Sequence, residues 1–296
     1  MSARGARVVA QAKVNLFLRV LAREESGYHQ LETLFCRLAF GDDVAVRLAP
    51  RGMALDCAGA ELGPVERNLA YRAAAAYLAR TGWSTGVAIE IRKRIPVGGG
   101  LGGGSADAGA VLRLLNALNP APLDQQALLE VAAPLGADVP FMTTEAALAL
   151  AWGRGERLLA LPPLPPRRVV LAVPPFPVGT ADAYRWLAEA RAADQRAAVA
   201  PRLYTLDALS SWAGVASVAE NAFAGPVEAR HPRLAALRRA LGDELDAELA
   251  LLSGSGSTVF GVLPERPGDR ALTSAADCMV VETEPAGRVA AVELSE

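Results

Sequence analysis

The sequence has very little lysine, histidine and cysteine, and each scarcity excludes a class of site. Only two of its 30 cationic residues are lysines, Lys13 and Lys93, and it has two histidines. Two histidines are too few for a multi-histidine metal site. The three cysteines are odd in number, far apart and outside any CxxC pair, which argues against a disulfide framework and a thiolate zinc site. We therefore expect a protein of a reducing cytoplasm.

The sequence also lacks a long apolar run and a surplus of basic residues. No stretch approaches the roughly 20 apolar residues of a membrane-spanning helix, and residues 1–15 lack the apolar core of a signal peptide. The formal net charge of −2 argues against a nucleic-acid-binding protein. With 52% hydrophobic residues in a chain of 296, a folded core needs neither disulfides nor metals. We expect small-molecule partners, with no membrane and no nucleic acid.

Segments of strand character and helix character are mixed without strict alternation, which predicts an α+β fold. The apolar segment 6–21 predicts strands with a break near Lys13–Asn15. Asn68 is placed to cap a helix over 69–80, which is built from strong helix formers. Near the C-terminal end we predict a helix over 268–276.

The most informative segment is PVGGGLGGGSADAGAVL at 96–112, a run of glycines interrupted only by Leu101. It follows a predicted strand over 87–95 and precedes a predicted helix over 106–118. Glycines let backbone N–H groups approach a ligand, and a helix start adds unpaired N–H groups and partial positive charge. The arrangement predicts a phosphate site, with the Ser105 hydroxyl placed to cap the helix or to bind Mg²⁺.

The glycine run also has to be weighed against other nucleotide-binding motifs. Gly98, Gly100 and Gly103 fit the pattern GxGxxG. Asp124 follows at about the distance of a ribose-binding acid, so a nicotinamide dehydrogenase stays an alternative. Pro96, which separates strand from loop, and the long strand-like segment before it argue against that alternative. A Walker A loop needs a lysine after the glycines, and a hydrolase elbow needs GxSxG, and both are absent.

The glycine run resembles the ATP-binding motif of the GHMP small-molecule kinases, which include galactose, homoserine, mevalonate and phosphomevalonate kinases. AKVNLFLRV at 12–20 is similar to the N-terminal motif of this superfamily, and SGSGSTVFGV at 253–262 to its C-terminal glycine loop. GYH at 27–29 and GADVP at 136–140 resemble one branch of it. The resemblance to that branch implies phosphorylation of the tertiary hydroxyl of a cytidine diphosphate-linked polyol in non-mevalonate isoprenoid precursor synthesis.

The resemblance implies a two-domain α+β fold of the GHMP kinase type. The N-terminal domain, residues 1–162, is expected to resemble ribosomal protein S5 domain 2 and to bind ATP. The C-terminal domain, residues 163–296, is expected to be ferredoxin-like. Clustered prolines in LPPLPPRR at 161–168 favour this boundary. ATP is the implied phosphoryl donor and Mg²⁺ the implied cofactor, while the choice between a monomer and a weak homodimer stays open.

The resemblance also implies roles for particular side chains. Lys13 is the expected catalytic lysine, because a cation can stabilise charge on the acceptor oxygen and on the transferring phosphoryl group. Asp138 is the expected base or orienting group for the acceptor hydroxyl, although its place before Pro140 also suits a helix N-cap. Asn15 faces the same side of a strand as Lys13 and is expected to position the substrate. For Lys93, an electrostatic role toward the phosphates and an ordinary lysine remain equally open.

The remaining expected site residues fall in two groups. The ATP-binding group is Pro96, Val97, Gly98, Gly99, Gly100, Leu101, Gly102, Gly103, Gly104, Ser105 and Ala106. The acceptor-binding group is Asn15, Tyr28, His29, Thr180, Tyr184, Gly254, Ser255 and Gly256. An aromatic face such as that of Tyr28 suits stacking on cytosine, and His29 can hydrogen-bond the pyrimidine edge. For Tyr184, a place in the pocket and a place in the hydrophobic core on an amphipathic helix both stay open. Ser105 is the expected Mg²⁺ ligand.

Two further functions remain as alternatives. The first is another GHMP kinase, with homoserine or a mevalonate-type compound as the acceptor. GYH and GADVP argue against it. The second is an RNA-binding module, since the expected N-terminal domain resembles a ribosomal-protein fold, but the net charge and the missing basic stripe argue against it.

Overall fold

The computed structural model describes residues 4–23, 29–60, 63–193 and 204–296. Its strands, in chain order, are β1 Gly5–Arg23, β2 His29–Ala49, β3 Met53–Ala58, β4 Gly86–Arg92, β5 Leu148–Gly153, β6 Arg157–Leu161, β7 Val169–Val173, β8 Leu249–Leu252, β9 Val259–Val262, β10 Met279–Thr283 and β11 Glu293–Ser295. Its helices are α1 Leu69–Thr81, α2 Gly103–Leu118, α3 Gln125–Ala132, α4 Val139–Thr143, α5 Thr180–Ala193, α6 Leu206–Leu209, α7 Trp212–Val218, α8 Ala224–Arg230 and α9 Pro232–Leu245.

The first sheet is built on the long antiparallel pair of β1 and β2. Its strand order is β11-β1-β2-β4-β3, and β5 and β6 continue from the other half of β2. The predicted break near Lys13–Asn15 is wrong, because β1 runs through it. Register shifts between Gln11 and Lys13 and between Asn15 and Phe17, of the kind that β-bulges produce, interrupt only its regular pairing with β2.

Two helices pack on this sheet and bring the glycine run into place. Asn68 caps α1 as predicted, because its side chain accepts a hydrogen bond from the backbone N–H of Ala70. Gly82, at φ 64°, ends the helix in the left-handed conformation. α2 begins at Gly103, before the predicted start at 106, since Gly102 adopts a positive φ of 73° and turns the chain into the helix.

The second sheet has the strand order β10-β7-β9-β8, with antiparallel pairs throughout. α9 packs against β8 and β9, and α8 packs against both α9 and α5. The predicted helix over 268–276 is wrong, because the structure has only a 3₁₀ turn at Thr273–Ala275. The Glu244 carboxylate accepts hydrogen bonds from the Thr273 hydroxyl at 2.9 Å and from the Ser274 N–H at 3.1 Å, so this backbone N–H is bound to a side chain of α9.

The two halves of the chain are joined by more than one connection. β11 returns to the first sheet, where Ser295 pairs with Gly5. Leu18 of β1 also forms a parallel bridge with Asn221. The expected boundary between residues 162 and 163 stays a prediction. In the described part of the chain, no helix has the length and apolar character needed to span a membrane.

Candidate active site

A cleft of about 1620 Å³ takes its walls from both halves of the chain. It is lined by Lys13 on β1, the glycine run at 98–104, and Asp138 at the start of α4. From the second half of the chain, Gly254 and Ser255 complete the wall. The three motifs that lie far apart in the sequence therefore meet at one cavity.

Lys13 lies buried beside this cleft, with 4% of its surface exposed. Its Nζ donates hydrogen bonds to Asn15 Oδ1 at 2.7 Å and to the Gly100 carbonyl oxygen at 3.2 Å. Nζ also lies 3.3 Å from Asp138 Oδ2. The ammonium group is thus held between the strand, the glycine run and a carboxylate, as a positioned cation requires.

Asn15 is held in turn by its own partners. Its Nδ2 donates to Thr33 Oγ1 at 2.7 Å, and that hydroxyl donates to the Phe17 carbonyl oxygen at 2.7 Å. This chain of bonds orients the amide, so that its oxygen faces the Lys13 ammonium. The prediction that Asn15 and Lys13 share one face of the strand is confirmed. Thr33 was missed by sequence reasoning, because only strand pairing brings it here.

Asp138 precedes α4, the position of a helix N-cap, but its side chain makes no capping bond. The carboxylate faces Lys13 instead. Asp138 is the more open member of the pair, with 29% of its side chain exposed against 5% for Lys13. The carboxylate is therefore the member of the pair that is more accessible from the cleft.

The glycine run is packed directly against the loop at 253–257. Gly100 and Gly102 have φ values of 77° and 73°, which favour glycine. The Ser253 hydroxyl donates to the Gly100 carbonyl oxygen at 3.0 Å, and the Thr258 N–H donates to that of Gly99 at 3.1 Å. The C-terminal loop therefore fixes the conformation of the expected phosphate loop.

Lys93 forms a buried ionic cluster under the glycine run. Its Nζ lies 2.5 Å from Asp42 Oδ2 and 2.7 Å from Asp107 Oδ2. Asp42 Oδ1 also accepts from the backbone N–H groups of Arg94 at 2.5 Å and Ile95 at 2.7 Å. The cluster joins β2, the segment before the run, and α2 after it, so it braces both ends of the run.

The charges in this cluster perturb one another. Burial raises the pKa of Asp107 to about 7, although Lys93 acts in the opposite direction. Burial lowers the pKa of Lys93, but the two carboxylates outweigh it and hold that pKa above its ordinary value. Sequence reasoning missed both aspartates. A charged residue inside the glycine motif was a signal for Asp107, whereas nothing local pointed to Asp42.

Another part of the cleft wall carries aromatic rings and hydroxyls. The His29 ring stacks on Tyr184 with centroids 4.3 Å apart, and Tyr184 meets the Phe223 ring edge-on at 4.9 Å. Thr180 Oγ1 lies 3.1 Å from Ser255 Oγ. Burial raises the pKa of the Tyr184 phenol. Tyr184, left open from the sequence, therefore stands in the cleft wall beside His29.

Four further expected site residues differ in where they lie. Tyr28 lies outside the described residues, so its role stays a prediction. Ala106 is buried within α2, at 2% exposure. A side chain on Gly100 would come within 2.9 Å of the Gly256 carbonyl oxygen, which places Gly256 beside the run. Ser105 lines the cleft, and the described residues contain no group of three or more His, Cys, Asp or Glu arranged to hold a metal ion.

The family comparisons agree with this geometry. The family GHMP kinases N terminal domain matches residues 68–145, which include the glycine run. The family GHMP kinases C terminal matches residues 205–280, which include the 253–257 loop. With curated relatives at about 40% identity over most of its length, the chain belongs to the GHMP kinases. The predicted two-domain α+β fold is confirmed, and kinases of this family use ATP, typically with a divalent metal ion.

The individual relatives define the branch. The 4-diphosphocytidyl-2-C-methyl-D-erythritol kinase of Pelotomaculum thermopropionicum is 40% identical over 255 residues, which are 86% of this chain and 88% of its own. The Deinococcus radiodurans enzyme of the same name is 42% identical over 257 residues, 86% of this chain and 82% of its own.

Solved structures agree with the branch. A crystal structure of 4-(cytidine 5'-diphospho)-2C-methyl-D-erythritol kinase has a TM-score of 0.74 at 38% identity, covering 95% of this chain and 99% of that one. A homoserine kinase from Cytophaga hutchinsonii, at 17% identity and TM-score 0.68 over 99% and 98% of the two chains, shares the fold alone.

Proposed function

We propose that the chain transfers the γ-phosphoryl group of ATP to the tertiary 2-hydroxyl of 4-diphosphocytidyl-2-C-methyl-D-erythritol. The products are the 2-phosphate and ADP, in the non-mevalonate synthesis of isoprenoid precursors. The observation that carries the proposal is the Lys13–Asp138 pair, 3.3 Å apart in a cleft shared with the glycine run. The relatives of the same branch support the acceptor.

ATP is placed with its phosphates along the glycine run. The backbone N–H groups of 98–104 and the start of α2 offer the positive potential that phosphate oxygens require. The Lys93 cluster supports this segment from below, because its carboxylates hold the residues before and after the run. The domain assignment, 1–162 for the nucleotide and 163–296 for closing the cleft, is part of the proposal.

The transfer is direct, without a phosphoenzyme. The acceptor hydroxyl donates a hydrogen bond to Asp138, and its oxygen attacks the γ-phosphorus as the bond to the ADP oxygen breaks. Asp138 takes the hydroxyl proton as the new bond forms. Lys13, held by Asn15 and Gly100, stabilises the negative charge on the transferring group.

The described residues fit a magnesium ion carried in with the nucleotide. Mg²⁺ keeps several waters and binds mainly phosphate oxygens with one or two protein ligands. The Ser105 hydroxyl in the cleft wall suits that role, and no larger set of metal-binding side chains is found among the described residues. When bound, the ion neutralises charge on the phosphates.

In this proposal the cytidine end of the acceptor binds at the aromatic part of the cleft wall. His29 and Tyr184 already stack at 4.3 Å and present flat surfaces that suit a pyrimidine. The hydroxyls of Thr180 and Ser255 provide polar groups next to it. Tyr28 and the backbone of 254–256 complete the proposed acceptor site.

The test is a phosphorylation assay with Mg²⁺-ATP and three acceptors in parallel: 4-diphosphocytidyl-2-C-methyl-D-erythritol, homoserine and mevalonate. ADP release gives the rate, and the mass of the product identifies the phosphorylated compound. We expect turnover with the cytidine compound alone. Turnover with another alcohol and none with the cytidine compound would contradict the proposed acceptor while keeping the kinase.

A further inference from the structure

Arg37 is a buried cation on β2 that binds the C-terminal end of α4. Only 2% of its surface is exposed. Its Nη2 donates to the carbonyl oxygens of Phe141 at 2.6 Å and Thr144 at 3.0 Å, and its Nε donates to that of Ala146 at 2.9 Å. The guanidinium also lies 4.8 Å from the centroid of the Phe141 ring. A cation at this end of a helix is favourable, because the carbonyl oxygens there point toward it.

Asp138 lies at the other end of the same short helix. Its side chain forms no capping bond with α4, but its carbonyl oxygen accepts from the Met142 N–H at 3.1 Å. The residue is therefore attached to the helix through its backbone, while its carboxylate faces Lys13. The position of α4 therefore sets the distance between the Asp138 carboxylate and the Lys13 ammonium.

Lys13 and Arg37 are direct cross-strand partners in β1 and β2. Directly opposed residues of an antiparallel pair point to the same face of the sheet. One pair of strand positions thus contacts both ends of α4, Lys13 at Asp138 and Arg37 at the last carbonyls. A shift of the helix changes the Arg37 contacts and the Lys13–Asp138 distance together.

The arginine at this position does more than fill space beneath α4. Its partners described above are backbone carbonyl groups and an aromatic ring, and placing a charge there carries a desolvation cost. An apolar side chain would avoid that cost but would leave the three carbonyl oxygens without these donors. The planar guanidinium also fixes the position of α4. Its N–H groups point in fixed directions, so the three carbonyl oxygens can bind it in only one arrangement.

We propose that Arg37 is a positioning residue for phosphoryl transfer. By binding the C-terminal carbonyls of α4, it holds Asp138 at the distance from Lys13 that the acceptor hydroxyl needs. The inference rests on the proposed function, in which Asp138 receives that hydroxyl.

The experiment is a double-mutant cycle of Arg37→Met and Asp138→Asn, read as kcat and KM with Mg²⁺-ATP and the cytidine acceptor. A misplacement of about 1 Å at a reacting centre costs up to about 10²-fold in rate, so Arg37→Met should lower kcat about tenfold or more. The KM for ATP should stay within about threefold, since the glycine run is untouched. In the Asp138→Asn background the same substitution should change kcat less than about twofold, because no carboxylate is left to position.

Arg238→Met is the control for losing a hydrogen-bonded arginine away from α4. The Arg238 Nε and Nη2 donate to the Glu228 carboxylate at 2.7 Å and 3.0 Å, between α9 and α8 in the second half of the chain. We expect it to lower the thermal midpoint while keeping kcat. If Arg37→Met does not fold, Arg37→Lys replaces it in the cycle. A lysine keeps the charge but reaches fewer carbonyls, so kcat should fall less and should again depend on Asp138.

The inference is overturned if the Arg37 variant lowers kcat by the same factor in both backgrounds, or if a folded variant keeps the kcat of the parent. Failure of the proposed function gives a different result. If Asp138 is not the base, Asp138→Asn by itself retains the kcat of the parent. The kcat of this single variant therefore distinguishes failure of the proposed function from failure of the inference about Arg37.

Discussion

Gly100 and Ser253 are packed so closely that a Cβ on Gly100 would lie 2.1 Å from the Ser253 carbonyl oxygen. The Ser253 hydroxyl also donates to the Gly100 carbonyl oxygen at 3.0 Å. Gly100→Ala should therefore force the two loops apart and distort the phosphate site. We expect kcat/KM for ATP to fall on the order of 10²-fold, because the loop leaves its productive geometry.

Gly52→Ala separates this clash from backbone strain. Gly52 has φ 76° against 77° for Gly100, but a Cβ there meets nothing within 4 Å. Both variants should lose about 1–2 kcal/mol of unfolding free energy from the left-handed backbone. Only Gly100→Ala should lose activity. Equal activities for the two variants would show that contact with Ser253 has no part in forming the site.

The raised pKa of Asp107, about 7, predicts how stability varies with pH. The ordinary pKa of an aspartate is near 3.9 in the unfolded chain. Between these values the folded protein binds more protons than the unfolded one. The stabilising contribution of Asp107 to the free energy of unfolding is therefore fully present below about pH 4, and it is lost as the pH rises toward 7. Asp107→Asn should remove it, changing the slope of unfolding free energy by up to about 1.4 kcal/mol per pH unit.

Urea unfolding of the parent and of Asp107→Asn at several pH values between 4 and 8 measures this slope. The asparagine keeps the size of the side chain and an oxygen for Lys93. Asp56→Asn, at an exposed aspartate of β3, controls for the loss of a carboxylate. A slope unchanged by Asp107→Asn would mean that Asp107 titrates as it does in the unfolded chain.

The two histidines of the chain provide a matched test of the acceptor site. His29 stacks on Tyr184 inside the cleft, and His231 stacks on Phe176 with centroids 5.2 Å apart, outside it. His29→Leu should raise the KM for the cytidine acceptor on the order of tenfold, because the substitution removes both the aromatic face and the hydrogen-bonding nitrogens proposed for the pyrimidine. The KM for ATP should not change. His231→Leu should alter neither KM, and an equal effect of the two substitutions would contradict the proposed cytidine site.

Sequence patterns correctly predicted the secondary structure that depends on residues close together in the sequence. Asn68 and Gly82 mark the ends of α1, and the glycine run with the helix after it could be read as one phosphate motif. The predicted helix over 268–276 was wrong. The Ser274 N–H and the Thr273 hydroxyl of that segment bind the Glu244 carboxylate, about thirty positions away in the sequence. Propensity within a window carries no information about such a partner.

Residues of the candidate site were missed where their contacts join positions that are far apart in the sequence. Lys13 and Asp138 could be proposed from the sequence because each lies in a contiguous motif. Asp42 is 51 positions from Lys93, and Arg37 is 104 from Phe141, so only the fold brings these pairs together. In the sequence Arg37 is one more polar residue of a strand. Its role follows only from the register of β1 and β2 and from the place of α4.

The most direct test of the account is the turnover of Lys13→Met on Mg²⁺-ATP and 4-diphosphocytidyl-2-C-methyl-D-erythritol. The substitution keeps the length of the side chain and removes the charge 3.3 Å from Asp138. We expect kcat to fall by about 10²- to 10³-fold, the usual loss when one charge-stabilising group is removed from an active site. A folded variant with near-parental kcat would contradict the assignment of Lys13 and, with it, the mechanism proposed for this cleft.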